Sequence, residues 1–186
     1  MVGKKLIICE GGDDVGLLNR FLEKLGYQKK DFEIMSMGGK SLLLDRNDSR
    51  YTVKCQQIET GQYGKVLFVV DADYSKNDVV TGGYVNTEAK IIELIKQLEL
   101  NGVADYFISC DPENKNGNLE HLLLSSVEQD KRSCIESFVD CIQDMDAESN
   151  KKIIFAAYQT IFKEAPYNFD HPNFDELKLK IDWLFS

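Results

Sequence analysis

The segment at residues 65–70, KVLFVV, constrains the fold most, because a run of β-branched and aromatic residues without polar alternation has no face to offer water. Such a run is stable as a central strand covered on both faces, the pattern of a parallel sheet between helices. It stops at Asp71-Ala72-Asp73. A second run, residues 4–9, carries Leu6, Ile7, Ile8 and Cys9 straight into Glu10 and the turn Gly11-Gly12. Both strands therefore end in acids.

Between and after these runs the periodicity changes to that of helices. Asp13 and Asp14 suit the positive end of a helix dipole, and Val15, Leu17, Leu18, Phe21, Leu22 and Leu25 form an apolar stripe that ends at Gly26. Residues 31–37 (DFEIMSM) alternate and then break at Gly38-Gly39, which predicts a second strand. Residues 40–64 leave two readings open, a helix beginning near Leu42 or a strand through Tyr51, Val53 and Cys55. A helix is predicted over 86–100, stopped by Gly102, then a strand over 104–110, ended by Asp111-Pro112. Four helical patterns follow, at 119–127, 132–145, 149–164 and 173–184. The alternation predicts an α/β fold: a mainly parallel, four-stranded, Rossmann-like sheet flanked by helices. Residues 1–118 form its core, and residues 119–186 a helical extension packed on it as one compact unit, a size that suits the 43% hydrophobic content of 186 residues.

Several classes are disfavoured. No apolar run approaches the roughly 20 residues that span a bilayer, and the N-terminal stretch stops at Glu10, before a signal-peptide core is complete. Cys9, Cys55, Cys110, Cys134 and Cys141 include no CxxC pair and no histidine at ligand distance, which argues for reduced thiols and a cytoplasmic setting. With 31 acidic against 22 basic residues, the charge of −9 opposes unaided binding to a phosphate backbone. Bound divalent metal or a basic partner protein would offset that repulsion.

In an open parallel sheet, ligands bind beyond the carboxyl ends of the strands. Glu10, Asp71 and Asp111 stand at those ends, and hard oxygen ligands of this kind suit Mg²⁺. In an extended segment Asp71 and Asp73 project the same way and address one metal or two neighbouring ones; a solvated strand end is the other reading of an isolated DxD. Lys40, just past Gly38-Gly39, is either a phosphate contact or a solvated surface lysine. Glu120 complements the dipole of the helix that Asn118 opens, and with Asn114 and Asp111 it is a second-tier candidate for the rim of the same crevice. His121 and His171 lack partners at metal-ligand spacing and read as structural or surface residues. Lys151 and Lys152, at a helix start, point to an anion or to simple solvation.

Glu10 with Gly11, Gly12, Asp13 and Asp14, followed much later by Asp71-Ala72-Asp73, resembles the pattern of the Toprim superfamily over about residues 4–111. That superfamily occurs in topoisomerases, DnaG-type primases, recombination-repair proteins and nucleases of the overcoming-lysogenization-defect type. Gly38-Gly39, the stretch from Asp111-Pro112 to Glu120 and the C-terminal Trp183-Leu184-Phe185 extend the likeness to small stand-alone Toprim-like bacterial proteins of uncharacterised function. The resemblance implies that Glu10 is a general acid/base and metal ligand, that Asp71 and Asp73 bind Mg²⁺ (or Mn²⁺), and that Asp14 holds a metal-bound water. It implies phosphodiester chemistry, as in a nuclease acting on DNA or RNA with help from a partner. The alternative it carries is a non-catalytic metal- or nucleotide-binding module that regulates an ATPase in a defence or repair system. Neither the tyrosine domain of topoisomerases nor the zinc module of primases is recognisable, and a nuclease needs neither.

Overall fold

The computed structural model describes residues 3–142, 153, 156–158, 160, 161 and 168–186. Four strands, Lys4–Cys9 (β1), Phe32–Ser36 (β2), Tyr63–Asp71 (β3) and Ala104–Ser109 (β4), form one sheet in the order β2-β1-β3-β4. Every pairing is parallel. The chain goes from β1 outward to β2, then returns to lay β3 on the other side of β1. This reversal leaves a crevice at the carboxyl ends of β1 and β3.

Side-chain alternation sorts the core into two layers. Ile7 and Cys9 of β1 and Leu67 and Val69 of β3 face one way, towards Leu18, Phe21 and Leu22 of the helix Gly12–Lys24 (α1). Leu6, Ile8, Val66, Phe68 and Val70 face the other, towards the short helix Lys40–Leu43 (α2), Ser49–Glu59 (α3) and Tyr84–Gln97 (α4). The unbroken apolar run of β3 is thus explained by burial on both sides.

Residues 40–64 resolve as two helices. Asp48 caps α3 by accepting a hydrogen bond from the backbone N–H of Arg50, and Tyr51, Cys55 and Ile58 then fall on the inward face. Tyr51 is buried whereas Val53 is 54% exposed, so the apparent strand alternation is one face of a helix crossed by a solvent residue. Tyr63–Gly64 join β3, which begins earlier than its apolar run.

After β4 come Leu119–Ser125 (α5), Gln129–Ile142 (α6), a 3₁₀ turn at Pro172–Phe174, and Asp175–Phe185 (α7). The helical patterns at 132–145 and 149–164 run into residues outside those described, as do Lys151 and Lys152. Helices α5 and α7 are part of the α1 layer: Leu119, Leu122 and Leu123 join Leu177, Ile181 and Leu184 in the cluster built on Ile7 and Leu67. Phe21, Phe169 and Phe174 meet within it at centroid distances of 5.0 to 6.0 Å. Lys180 ties α7 to β4 through both carboxylate oxygens of Asp105, each at 2.8 Å. Among the described residues, no helix is long and apolar enough to cross a membrane.

If α7 supplies one face of the core, truncating its two kinds of leucine-sized residue will separate them. Ile181→Ala, fully buried, should lose about 2–5 kcal/mol in denaturant unfolding, whereas Leu179→Ala, 68% exposed, should stay within about 0.5 kcal/mol of the parent. Equal small losses would make α7 an appendage.

Candidate functional site

A cavity of about 370 Å³ opens at the carboxyl ends of β1 and β3, lined by Glu10 to Asp14, Ser36, Gly38, Gly39, Asp71, Asn118, Leu119 and Glu120. Strand ends, the first turn of α1 and the first turn of α5 therefore converge there. Among the described residues the lining includes five carboxylates and neither lysine nor arginine. Backbone amides anchor three of them. Asp71 N–H donates to Glu10 Oε1 at 2.8 Å, Leu119 N–H to Asp71 Oδ1 at 3.0 Å, and Gly11 N–H to Asp14 Oδ2 at 2.8 Å.

Glycines hold the loop that carries Glu10. The N–H groups of Gly38 and Gly39 both donate to the Glu10 carbonyl, at 2.7 and 2.9 Å, while Ser36 Oγ reaches the same oxygen at 3.1 Å. Gly38 and Gly39 have φ of 83° and 141°, where a side chain is strained. The Gly-Gly break after β2 therefore exists to wrap backbone donors around the end of β1.

Gathering carboxylates in a partly buried cleft makes them hold protons. Burial pushes Glu10 up to about 7, with Asp73 and Asp14 adding repulsion, against the opposing pull of the Asp71 amide and the Lys40 charge. Asp14 rises to about 6, mainly through burial, with Glu120 and Asp13 reinforcing it against the Gly11 amide. Asp71 is raised well above the usual carboxylate range by burial, then by Asp14, Glu10, Asp73 and Glu120. Cys9 lies beneath the cluster, and its thiol is pushed up to about 12 by burial and the same acids, so it behaves as a small apolar residue and not as a nucleophile.

Asp73 departs from the extended arrangement expected of a DxD. Its φ is 57°, and its backbone pairs with Gly117 in both directions, which turns the chain away from the line of β3. Its carboxylate makes an ion pair with Lys40 at 3.1 Å beside the cavity, not in its lining. Lys40 itself is neither a surface lysine nor free for a phosphate. Only 10% of its side chain is exposed, and its ammonium lies 2.7 Å from Asp71 O, 3.0 Å from Ala72 O and 2.9 Å from Thr87 Oγ1. It acts as a bolt from α2 to the end of β3. Carbonyls turned towards one another at the end of a strand attract a cation that a linear pattern does not show.

Of the second-tier residues, Glu120 lines the cavity and Asp111 and Asn114 do not. Asp111 accepts from the Glu113 N–H at 2.9 Å and shapes its own turn. Asn114 lines a separate cavity of about 330 Å³ with Tyr84, Asn86 and Lys115. His121 is buried, between Tyr74 Oη at 2.8 Å and Asn118 Oδ1 at 2.6 Å, and His171 caps the 3₁₀ turn. Ser109, unremarked in the sequence, stands opposite Asp71 in the β3–β4 register outside the cavity lining, and its buried hydroxyl has no hydrogen-bond partner among the described residues. In sequence it is an ordinary polar residue at a strand end.

The donor set suits a hard divalent cation in part. Mg²⁺ commonly takes one or two carboxylates and keeps water elsewhere, and Glu10 and Asp71 supply that pair. No group of three or more His, Cys, Asp or Glu side chains among the described residues is arranged to hold a metal as it stands.

Fold and site together define a parallel α/β protein with an acidic cavity at the point where strand order reverses. Residues 4–161 match the family described as Protein of unknown function (DUF3226), and the chain belongs to it. Neither a curated protein nor a solved structure matches the chain.

Two measurements test this electrostatic account. Glu10 has a folded value of about 7 against an ordinary 4.5, so the folded protein binds more protons than the unfolded chain between those values, and stability from this group falls as pH rises through that window. In metal-free buffer Glu10→Gln should match the parent near pH 4.5 and exceed it above pH 7 by on the order of 2 kcal/mol. A difference independent of pH would remove the raised value. Separately, Lys40→Met should cost about 2–4 kcal/mol in chemical unfolding, since it leaves strand-end carbonyls and Asp73 without their cation; a loss below about 0.5 kcal/mol would return Lys40 to the surface class.

Proposed function

We propose that the cavity is a Mg²⁺-dependent phosphoryl-transfer site of Toprim type, and that the protein is a nuclease acting on DNA or RNA with a partner chain, in a cytoplasmic setting. The observation that carries this reading is the Glu10–Asp71 pair: two strand-end carboxylates joined by a 2.8 Å amide contact at the switch point, in a cleft that favours added positive charge. The order Glu10, Asp71, Asp73 along the chain supports it through the resemblance to Toprim proteins.

In this reading Glu10 and Asp71 hold Mg²⁺ or Mn²⁺, and the metal, when bound, neutralises charge on the phosphoryl oxygens. Asp73 contributes from the side of the cleft, with its charge balanced by Lys40. Before metal binds, Glu10 has a value of about 7 and exchanges its proton near neutral pH. A cation on it would displace that proton, so the general acid/base role implied by the Toprim resemblance belongs to Glu10 only when it stands beside the ion and not on it. Asp14, which accepts from the Gly11 amide, and Glu120 line the same cavity and are suited to orient water there. The acidity of the lining, which among the described residues holds five carboxylates and neither lysine nor arginine, favours a second reading as well: a regulatory module that binds metal or a metal–nucleotide for an ATPase partner without cleaving anything.

Thermal melting with Mg²⁺ and Mn²⁺, followed by incubation with plasmid DNA, single-stranded DNA and RNA, tests the proposal. The nuclease reading expects a metal-dependent rise in melting temperature and cleavage that falls about 100-fold or more in Asp71→Asn and Glu10→Gln. Metal binding without cleavage, with or without an ATPase, would favour the regulatory reading. No metal response at all would overturn both.

A further inference from the structure

The opposite end of the sheet carries the reverse charge. A cavity of about 280 Å³ there is lined by Gly3, Lys4, Lys5, Lys30, Asp31 and Phe185. In a chain of charge −9, a pocket with three lysines against one aspartate runs counter to the overall balance.

Lys5 is its unusual member. The residue is 5% exposed, and among the described residues no hydrogen bond or ion pair reaches its ammonium. Lys65 is its partner in the β1–β3 register, so two like charges sit side by side on the same face of the sheet. Lys65 is provided for: it donates to Trp183 O at 2.8 Å and Ser186 Oγ at 2.7 Å, at the carbonyl end of α7. Burial and the Lys65 charge both work against the protonated form of Lys5. Lysines buried to this degree are ordinarily paired, and Lys5 instead lines the cavity.

The wall of the cavity adds an aromatic surface. Phe185 stacks on Tyr27 with centroids 3.8 Å apart and planes 18° from parallel, so its ring is held in place. Lys4 and Lys30 are exposed at the mouth, and Asp31 stands beside them without an ion pair to these lysines.

We propose that this pocket is a second binding site, for a phosphate-class oxyanion, with the Lys5 ammonium as its central ligand and Lys4 and Lys30 at its entrance. The oxyanion is either free phosphate or the phosphate of a nucleoside monophosphate whose base lies against Phe185. The site is independent of the acidic cavity, since it lies at the other end of the strands and its ligands are cations that need no metal.

Full-length protein in metal-free buffer of constant ionic strength is titrated with inorganic phosphate and, in parallel, with adenosine monophosphate, while melting temperature and affinity are read. A concentration ten times Kd should raise the melting temperature by about 3–6 °C. Lys5→Met keeps the buried stem and removes the charge, and it should weaken binding at least about tenfold. Lys30→Ala, at an exposed position, cannot disturb the fold and should weaken binding a few-fold. Tighter binding of the nucleotide, reduced to the phosphate level in Phe185→Leu, identifies the nucleotide as the source; equal binding identifies the phosphate group alone. No response to either anion, or a response retained in full by Lys5→Met and Lys30→Ala, overturns the proposal.

Discussion

The parallel pairing of β1 with β3 is the constraint on which the rest of the molecule depends. Because the two strands run the same way and pair from Lys5–Lys65 to Cys9–Val69, their charged ends are brought side by side twice. At the carboxyl end Glu10 meets Asp71, and at the amino end Lys5 meets Lys65. An antiparallel pairing would have set acid against base and produced two salt bridges. Parallel pairing instead concentrates one sign at each end, and each concentration has to be relieved by something other than the neighbouring strand.

Relief is local and specific at both ends. Lys40, reaching from α2, neutralises the Asp73 carboxylate and caps the carbonyls of Asp71 and Ala72, while Lys65 takes the Trp183 carbonyl in the last turn of α7. What remains after these contacts is a surplus of carboxylate around Glu10 and a surplus of ammonium at Lys5. Fixed amides around Glu10, Asp14 and Asp71 lower the cost of their charges without cancelling it, which is why their proton affinities stay high despite hydrogen bonding. A surplus that the fold has not neutralised is the physical ground on which each cavity is proposed to take a counter-charge.

Much of this was legible in the sequence where a single physical signal dominated. Burial on both faces demands continuous apolar runs, so β1 and β3 stood out, and an acid that directly follows such a run must lie at a strand end; Glu10 and Asp71 needed nothing more. The four-stranded parallel sheet followed from the alternation of those runs with helical stripes. The segment 40–64 was ambiguous because Tyr51, Val53 and Cys55 satisfy period two while Tyr51, Cys55 and Ile58 satisfy the helical period, and the cap at Asp48 decides between them. The orientation of Asp73 was hidden because a left-handed residue is set by its pairing with Gly117, far along the chain. Lys40 and Lys5 were hidden for a related reason: a lysine's burial depends on what meets its ammonium in three dimensions, and its long stem lets the same residue be a surface charge or an internal tie.

The long-range charge arrangement also bears on how a polyanion can approach this protein. A net charge of −9 repels nucleic acid at distances beyond the Debye length only weakly at physiological salt, since that length is about 8 Å, so the decisive fields are those of the two ends. The acidic cavity presents its carboxylates to an approaching phosphate with no lysine or arginine among the described residues of its lining, so in the proposed phosphoryl-transfer role affinity at that end would come from metal and from a second chain. A metal held there would bring positive charge to the phosphoryl oxygens, whereas a basic partner would supply the extended contacts along a backbone. On the proposed reading these would be separable requirements, one for chemistry and one for capture, and the division follows from parallel strands that put Glu10 and Asp71 at the same end of the sheet.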